Sequence, residues 1–271
     1  MVWSFSRVNS YEQCPYGWKL HYLDHVEQAG SGFADWGSLC HSIFEDYEKG
    51  MLADFELLDA YDERYPQYMH NDFPPIRGKS MADRYYERGR ELFASFEGFP
   101  EYWEILGVEL KVEFEIMGRK FLGYIDLLVR DKRDGRLIVV DHKSKSEFKT
   151  PEEQAHYAIQ LYLYAYWVYL NYGERPKELV FDMFRAGTIV TIPYCDEDQE
   201  AALSWFTNTI QTIYEDEDFE STPLSILLDI ANASSGTPEV KHLKAELRQA
   251  QWFCKFLCSS RMSCSDWEKG E

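Results

Sequence analysis

Asp126 and, fifteen residues on, Asp141-His142-Lys143 are the residues of this chain whose types and spacing suit chemistry. Two carboxylates on neighbouring strands can hold a hard divalent cation, which prefers oxygen ligands. Lys143 lies two residues beyond Asp141, and strand side chains alternate with period two, so acid and base share one face. A cation held by oxygens with an ammonium beside it suits hydrolysis of a phosphodiester. Asp126 follows Gly123-Tyr124-Ile125 in an apolar stretch, where a carboxylate is costly unless it binds a cation or is well hydrogen-bonded. The competing readings are a strand-end aspartate facing water and a surface ion pair between Asp141 and Lys143, a common arrangement.

The flanking segments must position these groups. Val108, Leu110, Val112, Phe114 and Ile116 alternate with Glu109, Lys111, Glu113 and Glu115, which predicts a strand with one buried face. Residues 120–130 and 136–143 follow as two more strands, joined through Asp134-Gly135, a hairpin signal. The run Leu137 to Asp141 is apolar enough for burial on both faces. A long helix comes next, with Thr150 as N-cap, Pro151 at the first helical position, Glu153 completing a capping box and Gly173 as the stop. Upstream, helical spacing covers 4–24 (kinked or restarted at Pro15), 34–50, 54–65 and 81–96. Downstream come strands over 178–184 and 188–193 and a helix over 196–214. A loop rich in Ser, Ala and Thr follows residue 220, then a helix near 238–253. This order predicts an α/β fold with a mixed central β-sheet flanked by helices. It is read as one domain over 1–271: a helical part (1–100), a core (101–195) and a helical, cysteine-containing part (196–271).

Composition narrows the function. Of 271 residues 45% are hydrophobic, and 17 Phe, 19 Tyr and 8 Trp supply a real core, so the chain is globular. The net charge of −19 argues against a protein that coats nucleic acid by whole-surface attraction. It leaves room for an enzyme that admits a strand or strand end to a restricted channel, where a bound cation inverts the local field. No apolar stretch reaches the roughly 20 residues of a membrane span and no basic leader opens the chain, which predicts a soluble, cytoplasmic protein with no membrane partner. No glycine-rich phosphate loop with Lys-Ser/Thr is present, so no ATP motor is expected. Six cysteines in such a protein are not expected to form disulfides. Cys254-x3-Cys258-x5-Cys264 suggests a metal or cluster site, while Cys40 and Cys195 read as core residues.

Together, Asp126 and Asp141-x-Lys143 resemble the signature of the PD-(D/E)XK nuclease superfamily in its RecB-like branch. Gly37-Ser38-Leu39-Cys40-His41 resembles that branch's first motif, Glu109 stands where the family often has a glutamate, and Gln160-x-x-x-Tyr164 resembles its Q-x-x-x-Y element. The resemblance implies a restriction-endonuclease-like core and a metal-dependent DNA exonuclease acting on single strands or DNA ends. Its setting would be repair, recombination or phage- or CRISPR-type DNA processing, with a possible helicase or recombination partner. It further implies that Asp126 and Asp141 ligate Mg²⁺ or Mn²⁺ with the backbone carbonyl of His142, and that His41 completes the shell. Imidazole there tilts the preference towards manganese. Glu109 would be a further ligand, and Lys143 would orient the attacking water or stabilise transition-state charge. Gln160 and Tyr164 would act in the catalytic site by positioning. The His142 ring, on the opposite strand face, is read as structural. Cys14-Pro15 resembles the early Cys-Pro of AddB-type and CRISPR-associated exonucleases. Cys14, Cys254, Cys258 and Cys264 would then hold a [4Fe–4S] cluster, although the late spacing there begins C-x2-C and here C-x3-C. Four thiolates would also hold Zn²⁺, and buried free cysteines are the remaining alternative. The rival functions are a catalytically weak DNA-binding or assembly module on a nuclease fold, and a structure-specific endonuclease.

Overall fold

The alternation between residues 103 and 131 folds as a long hairpin, β1 (Trp103–Ile116) against β2 (Arg119–Asp131). Its two-residue turn, Met117-Gly118, has positive φ at both positions (46° and 77°), the twist that a tight hairpin requires. β3 (Leu137–His142) returns antiparallel to β2 after Gly135, itself at φ 80°, and all six of its residues are buried. The chain then crosses over through α6 (Pro151–Tyr172), so β4 (Glu178–Met183) lies parallel to β3, and β5 (Thr188–Pro193) closes the sheet antiparallel to β4. The strand order is β1-β2-β3-β4-β5, a mixed five-stranded sheet flanked by helices. This computed structural model describes residues 1–75, 80–234 and 236–266.

Two compact units divide the chain, the first from Met1–Phe5 and Gly32–Asn208, the second from Ser6–Ser31 and Thr209 onward. The first holds the sheet, α6 and three helices: α3 (Gly32–Glu48), α4 (Leu57–Tyr68) and α5 (Met81–Ala94). Trp36, Leu39, Cys40, Ile43 and Phe44 form a stripe at helical spacing on α3, and it buries against Leu57, Tyr61, Leu92, Phe93 and Phe184. The second unit contains most of α1 (Phe5–Gln13), α2 (Pro15–Tyr22), the end of α7 (Asp196–Glu215), α8 (Thr222–Asn232) and α9 (Pro238–Phe256). Its core includes Trp18, which stacks on Phe219 at 5.9 Å with Tyr11 edge-on at 6.0 Å. Pro15 restarts a helix here: Cys14 is the N-cap of α2.

Three local expectations differ from what is observed. The segment after residue 220, expected as a loop, forms α8, because Pro223 presets the first turn and the helix has α9 to pack against. Cys195 is not a core residue: its half-buried thiol precedes α7 and faces the Glu197 carboxylate at 2.8 Å. Glu153 does not complete a capping box. Thr150 Oγ1 accepts the Glu153 N–H at 3.1 Å, but the Glu153 carboxylate takes the Lys149 N–H and Lys145 Nζ, each at 2.5 Å, and so grips the loop before the helix. Thr150→Ala should therefore cost about 1 kcal/mol of stability, read by urea denaturation. Among the described residues no helix is long and apolar enough to cross a membrane.

Candidate active site

Pairing of Leu127 with Val140 sets the register of β2 and β3, and one step further places Asp126 opposite Asp141. Residues directly opposite on an antiparallel pair point to the same face, and the ladder stops at this acidic pair. Asp126 Oδ2 accepts the His142 N–H at 2.6 Å. Across the other edge of β2, the flanking pairs Val108–Leu127 and Leu110–Ile125 set Glu109 opposite Asp126. Glu109 has φ 47°, rare for a residue with a side chain. Such strain costs about 1–3 kcal/mol and persists only where its surroundings enforce it, typically at functional sites. From this position the Glu109 carboxylate joins Asp126 and, from α3, His41: one ligand atom from each lies within 4.8 Å of the others, and all three residues are partly accessible. Glu109, and neither Glu113 nor Glu115, is the β1 glutamate in that group among the described residues.

The electrostatics fit a cation. Burial first, and the Asp141 carboxylate second, push Asp126 up to about 8. Glu109 is also raised, by burial and then by Glu45 and Glu48. Burial, with His142 and Lys143 nearby, pushes His41 down to about 3, so its ring is neutral and keeps a lone pair for a metal. The His41 ring also hydrogen-bonds the backbone of His142. Crowded carboxylates that resist ionisation, beside a neutral imidazole, are a donor set that Mg²⁺ or Mn²⁺ would relieve.

Lys143 completes the site. Its Nζ lies 2.6 Å from Asp141 Oδ2 and donates to Gln160 Oε1 at 2.9 Å. Gln160 Nε2 in turn donates to Tyr164 Oη at 3.0 Å, one turn along α6. Burial raises Tyr164 and keeps its phenol protonated. The ring leans on Gly123, where an added Cβ would lie 2.7 Å from Tyr164 Cε1 and 2.9 Å from Phe121 Cε1. Gly123→Ala should thus overpack the site and cost about 1–3 kcal/mol, visible as a lower Tm. Gly37 answers a similar need: a Cβ there would stand 3.3 Å from Ser144 Oγ, so α3 can approach the strand end closely.

Behind this face the His142 ring is buried between two carboxylates, Nδ1 at 2.8 Å from Asp182 Oδ2 and Nε2 at 2.6 Å from Glu48 Oε1. Phe44 stacks on it at 5.3 Å and Phe99 lies tilted at 5.8 Å. Burial alone would drive off its second proton, but the hydrogen bonds to Asp182 and Glu48 outweigh that and hold His142 well above its usual range. Burial raises Glu48 too, against the pull of its hydrogen bond to His142. Sequence reasoning missed Glu48 and Asp182. The available signals were an acid inside the apolar run ahead of Met183, in register with His142, and an acid two helical turns after His41.

The four expected cluster cysteines all belong to the second unit, and the fold brings them together. Cys14 Sγ accepts the Gly17 N–H at 3.4 Å. A Cβ on Gly17 would lie 3.6 Å from Cys14 Sγ and 3.9 Å from Cys258 Sγ. Burial pushes the Cys254 thiol up to about 12, with Cys14, Cys258 and Cys264 each adding to the rise.

A sequence model of the PD-(D/E)XK nuclease superfamily matches residues 2–225. The chain is 29% identical over 201 residues to Gene 69 protein of Mycobacterium phage D29, an alignment covering 64% of this chain and 71% of that protein. Against the crystal structure of SSO0001 the chain aligns over 96% of its length and 94% of that chain, at 15% identity and a TM-score of 0.32.

Proposed function

This chain belongs to the PD-(D/E)XK nuclease superfamily, and from that premise we propose that it is a RecB-like, metal-dependent exonuclease acting on single-stranded DNA or DNA ends. The observation that carries the reading is the meeting of Asp126 and Asp141 with a lysine clamped beside them, His41 and Glu109 standing within ligand distance of Asp126. Asp126, Asp141, His41 and the His142 carbonyl would hold Mg²⁺ or Mn²⁺, and Glu109 would serve a second ion or its waters. A cation bound there supplies charge neutralisation at the scissile phosphate and acidifies water.

This chain's own residues do the rest. The Lys143 ammonium, fixed by Asp141 and Gln160, would orient the attacking water and stabilise charge that grows on the phosphoryl oxygens. Water attacks phosphorus in line, the bond to the 3′ oxygen breaks, and that oxygen leaves with a proton as a hydroxyl. Gln160 and Tyr164 hold the lysine in a defined rotamer and do no chemistry. An intact lysine–carboxylate set speaks against the weak-turnover binding module. The RecB-like assignment rests on His41 in its motif and on Gln160-x-x-x-Tyr164.

End-labelled linear and circular single-stranded DNA, each incubated with Mn²⁺, Mg²⁺ or chelator, test this proposal. Linear DNA should vanish only with a cation, and circles should survive. Cutting of circles would favour the endonuclease reading, and DNA binding without turnover in Mn²⁺ would favour the binding module.

Cys14, Cys254, Cys258 and Cys264 would hold a [4Fe–4S] cluster, supported by their convergence within one unit. Anaerobically purified protein should be brown and contain iron, and Cys258→Ala should lose both. Stoichiometric zinc in place of iron would overturn this assignment.

A further inference from the structure

His142 occupies the spacer of Asp141-x-Lys143, and its ring faces away from both. It is nevertheless tied to β2, α3 and β4. Its N–H holds Asp126 on β2 at 2.6 Å. Its backbone accepts a hydrogen bond from the His41 ring. Its ring reaches Glu48, on the same α3 face two turns beyond His41, and Asp182 on β4, which pairs with it in register. The Lys143 N–H continues that pairing to the Asp182 carbonyl at 2.8 Å. The ring is 2% exposed and enclosed by Phe44 and Phe99; the Glu48 side chain, 1% exposed, has no water as a substitute partner, while the Asp182 side chain keeps an edge in solvent at 14%.

We infer that Glu48, His142 and Asp182 form a positioning clamp that sets α3, and with it His41, against the strand ends bearing Asp126 and Asp141, so that the cation ligands converge. The inference rests on the divalent-cation reading of that site. Behind the site the clamp joins α3 to β3 and β4, and its loss would leave the hydrogen bond from the His41 ring to the His142 backbone to bear that positioning. Residues that orient ligands from behind in this way govern metal affinity by about 10- to 100-fold. The clamp residues touch neither the water nor the phosphate, so their loss should weaken cation binding much more than turnover at saturating cation.

Mn²⁺ titration by calorimetry, with Tm recorded in chelator, tests this on the full chain. Wild type should bind and Asp141→Ala should not. Glu48→Gln and Asp182→Asn should each bind about tenfold or more weakly, with kcat largely recovered at high Mn²⁺. Glu45→Gln controls for the loss of one nearby negative charge. Glu45 pairs with Lys49 and does not reach His142, so a loss below about threefold is expected. A triple variant, Glu48→Met/His142→Leu/Asp182→Leu, removes the buried ions together, a change that proteins often tolerate in stability. It should fold and still show the weakened binding. Mn²⁺ affinity within threefold of wild type in folded Glu48→Gln, Asp182→Asn or the triple variant would overturn the clamp. If wild type itself binds no Mn²⁺, the cation reading fails and the clamp with it.

Discussion

Lys143→Ala should fold, bind Mn²⁺ at least as tightly as wild type, and lose about 10²- to 10⁴-fold in hydrolysis of linear single-stranded DNA. The magnitude follows from where the ammonium stands. It is about one-fifth exposed, 2.6 Å from Asp141 and 2.9 Å from Gln160 Oε1, so it reaches the reaction space from a fixed direction and needs no reorganisation when charge develops. Cation binding should not suffer, because the ammonium and the metal compete for the same carboxylate. Lys143→Arg should not restore the rate: a planar fork on a longer stem does not place a point charge where Gln160 holds one. Gln160→Leu, which removes the hold and not the charge, should show a smaller loss than Lys143→Ala. Single-turnover cleavage at saturating Mn²⁺ measures all three, and a Lys143→Ala rate within tenfold of wild type would remove the lysine from the mechanism.

Raising the pH from 6 to 8 should tighten Mn²⁺ binding by up to about 100-fold, or tenfold per unit for one displaced proton. Asp126 is pushed up to about 8, so below that pH a proton competes with the metal for it. The same shift predicts how the metal-free fold responds. A carboxyl whose folded pKa exceeds its unfolded value of about 3.9 leaves the folded state holding more protons across that window, so stability falls as pH rises towards 8. His142, raised by its two carboxylates, acts in the same direction above its unfolded value of about 6.5. His41, pushed down to about 3, acts oppositely, an effect that is halved near 6.5 and fades by about 7.5 as the unfolded imidazole loses its proton. Between 6.5 and 8 the unfolded imidazole of His41 gives up its remaining protons, and the opposite contributions of Asp126 and His142 together outweigh that fading term. In chelator Tm should fall across it, Mn²⁺ should restore it most at pH 8, and Asp126→Asn should flatten the slope. A Tm in chelator that rises from 6.5 to 8 would show that Asp126 is ionised in the metal-free protein.

Much of the architecture is legible in the chain because it depends on neighbours in sequence. Alternation over 108–116, Asp134-Gly135, Thr150-Pro151 and Gly173 each act within a few residues, and the hairpin, β3 and α6 stand close to the expected bounds. The misjudged positions depended on distant partners. Residues 222–232 are helical because α9 offers them an apolar face, and the Glu153 carboxylate finds Lys145 and Lys149 before it finds the Thr150 N–H.

The site divides the same way. Asp141 and Lys143 share a face because strands repeat every two residues, and Gln160 and Tyr164 share one because a helix repeats near four. These are properties of the chain itself, and with Asp126 and the His41 motif they already pointed to a nuclease. That Glu109 rather than Glu113 or Glu115 turns to His41 and Asp126 was decided by the fold, through a strained backbone that only packed neighbours can sustain. The fold also decided that Glu48 and Asp182, 134 residues apart by number, close on one histidine. Periodicity sets the side of an element on which a group projects; only the packing of elements decides which distant group it meets there.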